Sequence, residues 1–252
     1  MIRVSPLRVR VFQQCRLRYR YQYVDKDETR ARPRLRPADT AGSLVHRVLC
    51  DFFTRTPSEE RTRERLLGMF EEGWVALSPG YHRIPGVQQH HENSLRQLEH
   101  FVQRFGLDAE PFMVEPYFQF EIEAGTVVFG RLDRLDEEAD GTLHIIDYKT
   151  GSMPGDIDPG QLVFYAILVE EKVRRTVSKA SFWYLDDGTT WTLEFTEDDK
   201  RDARAQLLAD VREMEQTTEF PPTIGDHCPD CPFFQPCEFH AEIVSRLAII
   251  GT

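Results

Sequence analysis

The chain is 252 residues long, with 40% hydrophobic and 29% charged residues. That balance fits one elaborated globular domain or two small ones and excludes bulk disorder. The net charge of −11 argues against a uniformly basic nucleic-acid binder, and no apolar run approaches the roughly 18 residues of a membrane span. The opening MIRVSPLRVRVF has no apolar stretch leading to a small-residue cleavage site, so the expected address is cytoplasmic.

Charge is unevenly spread. Residues 1–36 hold 11 Lys/Arg and three acids, a local charge of +8 that leaves −19 on the remainder. Residues 7–24 alternate basic with apolar or aromatic groups and predict a helix. Arg16, Arg18 and Arg20 stand beside Tyr19, the mixture that single-stranded nucleic acid uses for phosphate contact and base stacking. A solvated charged face is the plainer reading of the same residues. Residues 25–39 carry Pro33 and Pro37 and read as an exposed loop.

Helical spacing follows over 41–55, with Leu44, Val45, Val48, Leu49 and Phe52 on one face. Cys50 sits in that run as a small core residue. Ser58-Glu59-Glu60 opens an expected helix to 77, the Pro79-Gly80 to Pro85-Gly86 stretch reads as a loop, and 87–107 is again amphipathic. The period then changes. Residues 112–123, 126–136 and 142–149 predict strands paired in antiparallel succession through Ala124-Gly125 and Asp140-Gly141. An apolar helix over 159–173, a strand pair 179–186 and 190–196 around Asp187-Gly188, and a helix from Thr196 to about 216 complete the pattern. The order implies a mixed α/β domain. Its expected parts are a basic helical region over 1–110, a core over 111–218 and a cysteine-rich tail over 219–252.

Two strands end in charge, as Gly130-Arg131-Leu132-Asp133 and Asp147-Tyr148-Lys149-Thr150-Gly151. Asp147 and Lys149 are two apart and share a strand face. Pairing through the 140–141 turn, with residue numbers summing to about 281, sets Asp133 opposite Tyr148, one step from both. Two carboxylates so placed suit a hard cation such as Mg²⁺, and a neighbouring lysine suits attack of water on a phosphodiester. A strand-end salt bridge is the structural alternative.

These motifs, with Gln161-x-x-x-Tyr165 and the earlier Gly42-x-x-x-His46, resemble the PD-(D/E)xK nucleases. The similar branch is RecB-like: the nuclease domains of RecB and AddB, and the RecB-like nucleases associated with CRISPR systems. The resemblance spans most of residues 5–240. It implies a restriction-endonuclease-like α/β core, a mixed central sheet flanked by helices, with an N-terminal helical region and a C-terminal cysteine-rich tail. It implies His46, Asp133 and Asp147 as ligands of Mg²⁺ or Mn²⁺, with the Tyr148 carbonyl as a further ligand. Lys149 becomes the catalytic lysine, and Gln161 and Tyr165 the helical pair facing the site. Glu115 stands where relatives often carry a glutamate; a structural and a metal-linked role stay equal for it. Leu132 replaces the proline of the family's Pro-Asp.

Cys228-x-x-Cys231-x5-Cys237 leaves a four-coordinate site one ligand short, and Cys15 is the obvious fourth. This layout resembles the branch's 4Fe–4S staple between the N-terminal helix and the tail. Structural zinc is the rival; zinc ribbons usually show two paired knuckles, and only one exists here. The expected activity is metal-dependent exonuclease cleavage of single-stranded DNA in repair or recombination. CRISPR-associated end processing beside adaptation proteins is one alternative. A catalytically silent DNA-binding subunit of a helicase–nuclease complex is another. The chain has no Gly-x-x-x-x-Gly-Lys-[Ser/Thr] motif of its own, so any unwinding would come from a partner helicase.

Overall fold

The computed structural model describes residues 2–25 and 37–250. The chain runs β1 (Ile2–Val4), α1 (Pro6–Gln14), α2 (Arg16–Tyr19), a π-helical turn at Arg20–Val24, and α3 (Pro37–Arg55). Then come α4 (Arg63–Val75), α5 (Pro79–His82) and α6 (Val87–Phe105). Strands β2 (Met113–Val114), β3 (Tyr117–Glu123), β4 (Thr126–Arg131), β5 (Arg134–Glu137) and β6 (Leu143–Lys149) follow. After them stand α7 (Gly160–Val173), β7 (Val177–Tyr184), β8 (Thr190–Glu194), α8 (Glu197–Gln216) and α9 (His240–Ile250).

Two compact units emerge. One gathers Met1–Arg34, Glu121–Val128 and Ala205–Thr252; the other is Leu35–Phe120 with Phe129–Arg204. Neither set of boundaries falls at residue 110 or 218.

The larger unit is built on a sheet of order β2-β5-β6-β7-β8. Strands β5 and β6 are antiparallel, β6 and β7 parallel, and β7 and β8 antiparallel. A parallel neighbour needs a crossover, and α7 supplies it. Strand β6 is buried along most of its length, so its hydrophobic run is nearly continuous, as a central strand requires. Its even residues Ile146 and Tyr148 join a core with Leu44, Val45, Leu49 and Phe52 of α3, Leu66 and Phe70 of α4, and Leu98 and Phe101 of α6. Each such side chain contributes about 1.5–3 kcal/mol on burial.

In the smaller unit β1 runs parallel to β4, in a sheet of order β1-β4-β3. The part of α8 within this unit is tied to it by polar contacts. Arg16 pairs with Glu213, Arg212 with Glu123, and the Thr126 hydroxyl donates to Glu215.

Several elements differ from the sequence expectation. Residues 26–36 of the expected loop lie outside the described residues, and α3 begins at Pro37. The helix expected from Ser58 starts at Arg63, because Thr62 is the side chain that caps it, accepting from Arg65 N at 3.1 Å. Part of the expected 79–86 loop is the short helix α5, capped by Ser78. The strand expected over 112–123 breaks before Tyr117, and the one over 126–136 breaks at Leu132-Asp133. At the first break Glu115 takes φ +45°, which non-glycine residues rarely adopt. The α8 terminus matches its expectation: Thr196 and Asp199 bond each other's backbone reciprocally, as a capping box does.

His144 on β6 carries a testable pH dependence. Its Nε2 lies 2.7 Å from Ser181 Oγ and its Nδ1 3.4 Å from Glu138. Burial first, then the Lys179 charge, push its pKa down to about 4. The unfolded chain therefore takes up this proton near pH 6.5, before the folded chain does. Stability is lost as pH falls from about 6.5 to about 4, by up to about 3 kcal/mol. Urea unfolding of His144→Gln should show a smaller acid loss than the unsubstituted protein by that amount. Equal losses would refute the assignment.

Candidate active site

Every residue of the expected acidic constellation falls in the larger unit. Register places them. Arg134 pairs with Ile146 and Leu135 with Ile145, so pairs sum to 280, and the ladder extended by one step sets Asp133 opposite Asp147. The expected pairing of Asp133 with position 148 is off by one residue. The correction matters because it puts both carboxylates at one level, one residue beyond the end of β5.

Asp133 is held from two sides. Its Oδ1 lies 3.0 Å from His46 Nδ1, and its Oδ2 accepts the Tyr148 N–H at 2.7 Å. Asp147 and Lys149 share the strand face turned to α7. Lys149 Nζ is 2.6 Å from Asp147 Oδ2 and donates to Gln161 Oε1 at 2.8 Å. Gln161 Nε2 donates to Asp147 Oδ1 at 2.8 Å and to the Tyr165 hydroxyl at 3.2 Å. Gln161 therefore ties acid and lysine into one ring of hydrogen bonds. The i, i+4 spacing on α7 lets Tyr165 hold Gln161 in turn.

Charge in this ring is poised. Asp147 is 5% exposed. Burial, then the Asp133 carboxylate, raise its pKa to about 6 against the opposing pull of Lys149 and His46. For His46, burial opposes protonation, but the Asp133 hydrogen bond and charge, with Asp147, outweigh it and the pKa rises. Burial and Asp147 raise Tyr165, which keeps its proton.

Two glycines allow these approaches. A Cβ on Gly42 would stand 2.7 Å from the Thr150 hydroxyl, and one on Gly130 would stand 2.9 Å from both the Tyr165 ring and Leu168. The first lets α3 bring His46 close to the end of β6. The second lets Tyr165 and Leu168 of α7 approach the backbone at Gly130. Gly130→Val is expected to push Tyr165 and Gln161 off the ring and cut kcat/KM about 10²-fold. A variant with full activity on the same nuclease substrate would show that the approach is not needed.

The remaining expected residues are placed as follows. Glu115 N donates to the Asp133 carbonyl at 2.9 Å, and its carboxylate reaches Arg131 at 3.4 Å. Tyr19 is 4% exposed, its ring 5.1 Å from Phe12 and 5.3 Å from Tyr23. It is core, so the expected base-stacking platform is not presented. Arginine heads lie on this aromatic cluster instead, Arg16 over Phe12 and Arg8 over Tyr23. Arg16 also pairs with Glu213, Arg18 donates to Gln14, and Arg20 pairs with Asp25.

Cys15, Cys228, Cys231 and Cys237 line one cavity in the smaller unit. Cys15 sits at the break between α1 and α2, with extended φ −161°, ψ 110°. The tail reaches it by successive turns: N–H groups of 228, 231, 234 and 237 bond carbonyls three residues back. Side chains three apart in such turns fall in line, which explains the Cys-x-x-Cys-x5-Cys spacing. Among the described residues, no three His, Cys, Asp or Glu side chains are drawn together as a ready-made metal site.

Two residues of the surroundings escaped the sequence reading. Gln97 on α6 donates to the Thr150 carbonyl at 3.3 Å and to Asp186 at 2.6 Å, clamping the backbone just past Lys149. Arg134, 3% exposed, is bidentate to Asp136 and lies over Phe53 and Trp183. Arg-x-Asp on one strand face was a legible signal for the second; nothing local marks Gln97.

The fold has a solved counterpart. The structure of a candidate exonuclease from Eubacterium rectale aligns over 90% of this chain and 86% of its own, with a TM-score of 0.52 and 12% identity. That likeness speaks to the fold. The Gene 69 protein of Mycobacterium phage D29 is 32% identical over 104 residues. That match spans 38% of this chain and 37% of the phage protein. The sequence profile of the PD-(D/E)XK nuclease superfamily matches residues 3–238. The match takes in both carboxylate strands, the helix of His46 and the cysteine tail, and the chain belongs to the PD-(D/E)XK nuclease superfamily.

Proposed function

We propose that this nuclease is a RecB-like, metal-dependent exonuclease that degrades single-stranded DNA from an end. The observation that carries the reading is the closed ring of Asp147, Lys149 and Gln161, with Tyr165 bonded to Gln161, beside the His46–Asp133 pair. Two carboxylates, an imidazole and the Tyr148 carbonyl form a donor set of the kind Mg²⁺ or Mn²⁺ takes. The buried Asp147 carboxylate, raised by its neighbour Asp133, fits such a cation because positive charge there would let both acids ionise. A bound divalent ion supplies Lewis-acid polarisation of a phosphodiester and a nucleophilic water near neutral pH. Lys149, aimed by Asp147 and Gln161, holds positive charge where the phosphate gains negative charge. Tyr165, protonated, fixes Gln161 and takes no part in proton transfer. Asp133 keeps His46 oriented.

The four cysteines support a metal centre in the smaller unit. Their thiols share one cavity, where burial raises Cys231 and Cys237 and neighbouring cysteines raise them further. Such crowding is relieved when a cation holds the thiolates. A 4Fe–4S cluster is the reading the one-plus-three spacing favours, with zinc as its rival. Half-buried Arg16 and exposed Arg20 remain the proposed contacts to the DNA backbone. Repair or recombination beside a helicase, or CRISPR-associated end processing, are the settings that suit this chemistry. Since the expected catalytic residues are all present and mutually bonded, a silent accessory subunit is disfavoured.

The test is cleavage of end-labelled linear and circular single-stranded DNA by anaerobically purified protein in Mg²⁺, Mn²⁺ or EDTA, beside Asp147→Ala. Loss of linear DNA only, with metal only, and not by the variant is the expected result. Cutting of the circle would replace exonuclease by endonuclease. Inactivity of a folded, DNA-binding protein would favour the accessory role.

A further inference from the structure

The cavity shared by the four cysteines is walled mainly by apolar groups such as Leu17, Phe233, Phe234 and Ile243; its cationic or cation-forming side chains are Arg18 and His227. Arg18 stands three residues past Cys15 on α2. Its Nη1 donates to Gln14 at 3.1 Å. Its Nε is shut off from solvent and has no hydrogen-bond partner among the described residues. A guanidinium N–H that has left water without gaining an acceptor is a costly feature to keep in a fold. It is explained when something anionic belongs in the space beside it.

The chemistry of the thiols says what that is. Four thiolates around zinc(II), or around an oxidised 4Fe–4S core, leave a net double negative charge. In an apolar cavity such a charge needs a nearby cation and N–H donors. His227 already lies 3.8 Å from Cys228 Sγ, and the Gly225 N–H lies 3.5 Å from the same sulfur. On the other side, Arg18 lines the same cavity as Cys231 and Cys237.

We propose that Arg18 is the built-in counter-charge of a tetrathiolate metal centre, and that it sets how readily the centre takes up an electron and how tightly it keeps its metal. This rests on the reading of the four cysteines given above. Positive charge beside an anionic cluster favours its reduced form. Taking Arg18 away makes reduction harder and metal loss easier.

The experiment compares the unsubstituted protein, Arg18→Gln and Arg18→Lys, purified anaerobically. Iron and zinc content, the visible spectrum, the midpoint potential and the rate of metal loss to an excess of chelator are read. With iron present, Arg18→Gln should disfavour reduction about tenfold, a fall of about 59 mV for one electron, and lose iron at least about tenfold faster. Arg18→Lys keeps the charge and lacks the Nε–H. It should hold the potential and still lose metal faster than the unsubstituted protein. With zinc present the release rates alone carry the test, in the same order. Unchanged potential and release in Arg18→Gln would overturn the role of Arg18 while leaving the metal centre in place. If Arg18→Gln does not fold, release from Arg18→Lys at the unsubstituted rate does the same. An unsubstituted protein holding neither metal, with all four thiols open to alkylation, overturns the centre and this inference together.

Discussion

Asp147→Asn is expected to abolish cleavage and, in metal-free buffer, to make the protein more stable. The activity loss follows because asparagine cannot neutralise a divalent cation or form the ion pair with Lys149; about 10²–10³-fold or more is the expected scale. The stability gain follows from linkage. The folded pKa of Asp147 is raised to about 6 from 3.8. A raised acid is favourable to folding at low pH and loses that contribution as pH rises through its folded value. Above about pH 6 the ionised, buried carboxylate costs about 3 kcal/mol relative to the unfolded chain. Asparagine keeps the bond from Gln161 and removes the charge. Thermal unfolding at pH 8 in EDTA should therefore rise by several degrees. Added Mg²⁺ should narrow the gap, because only the unsubstituted protein gains from binding it. A variant that is both inactive and less stable in EDTA would mean that the Lys149 pair, and not the burial of Asp147, dominates the site.

Cys15→Ser is expected to be the most damaging change in the smaller unit. A metal held by Cys15 and the tail cysteines joins positions 213 residues apart. Closing a loop of that size restricts the unfolded chain by about 5 kcal/mol on a chain-entropy basis. Metal binding itself adds to folding free energy. With serine there, the proposed metal would be left with a ligand set of three, and Leu17, Tyr21 and Phe233 would pack around an incomplete site. Metal content near zero, with earlier unfolding by calorimetry and faster proteolysis of the tail, is the predicted outcome. Full metal content in Cys15→Ser would remove Cys15 from the ligand set and bring His227, 3.8 Å from Cys228, into it.

Local patterns made much of this molecule legible. The apolar run over 142–149 marked a strand, and the two-residue spacing of Asp147 and Lys149 gave their shared face without further help. Gln161 and Tyr165 came from the resemblance to the nuclease family, and their i, i+4 spacing set them on one helix face. What escaped was set by contacts distant in sequence. The breaks at Glu115-Pro116 and Leu132-Asp133 sit inside strand-like sequence, and only the bonds between those two segments reveal them. One residue of register decided whether Asp133 met Asp147 or Tyr148. Arginine and tyrosine at close spacing read as a nucleic-acid face, yet Tyr19 packed inward and the guanidinium heads lay over its ring neighbours Phe12 and Tyr23. Composition could not choose between those outcomes, since both bury rings against cations.

The smaller unit draws on both ends of the chain, and this orders events during synthesis. Cys15, Leu17 and Tyr21 leave the ribosome early; Phe233 and Cys237, against which they pack, come more than 200 residues later. At about 5–20 residues per second that is a wait of roughly 10–40 seconds. Through that interval the first helices expose the apolar side they later bury. The proposed nuclease residues, which run from His46 to Tyr165, are all synthesised before the tail cysteines. Metal insertion at the proposed cysteine site would then be a late step of maturation, and without that metal the segment around Cys15 would be an aggregation hazard.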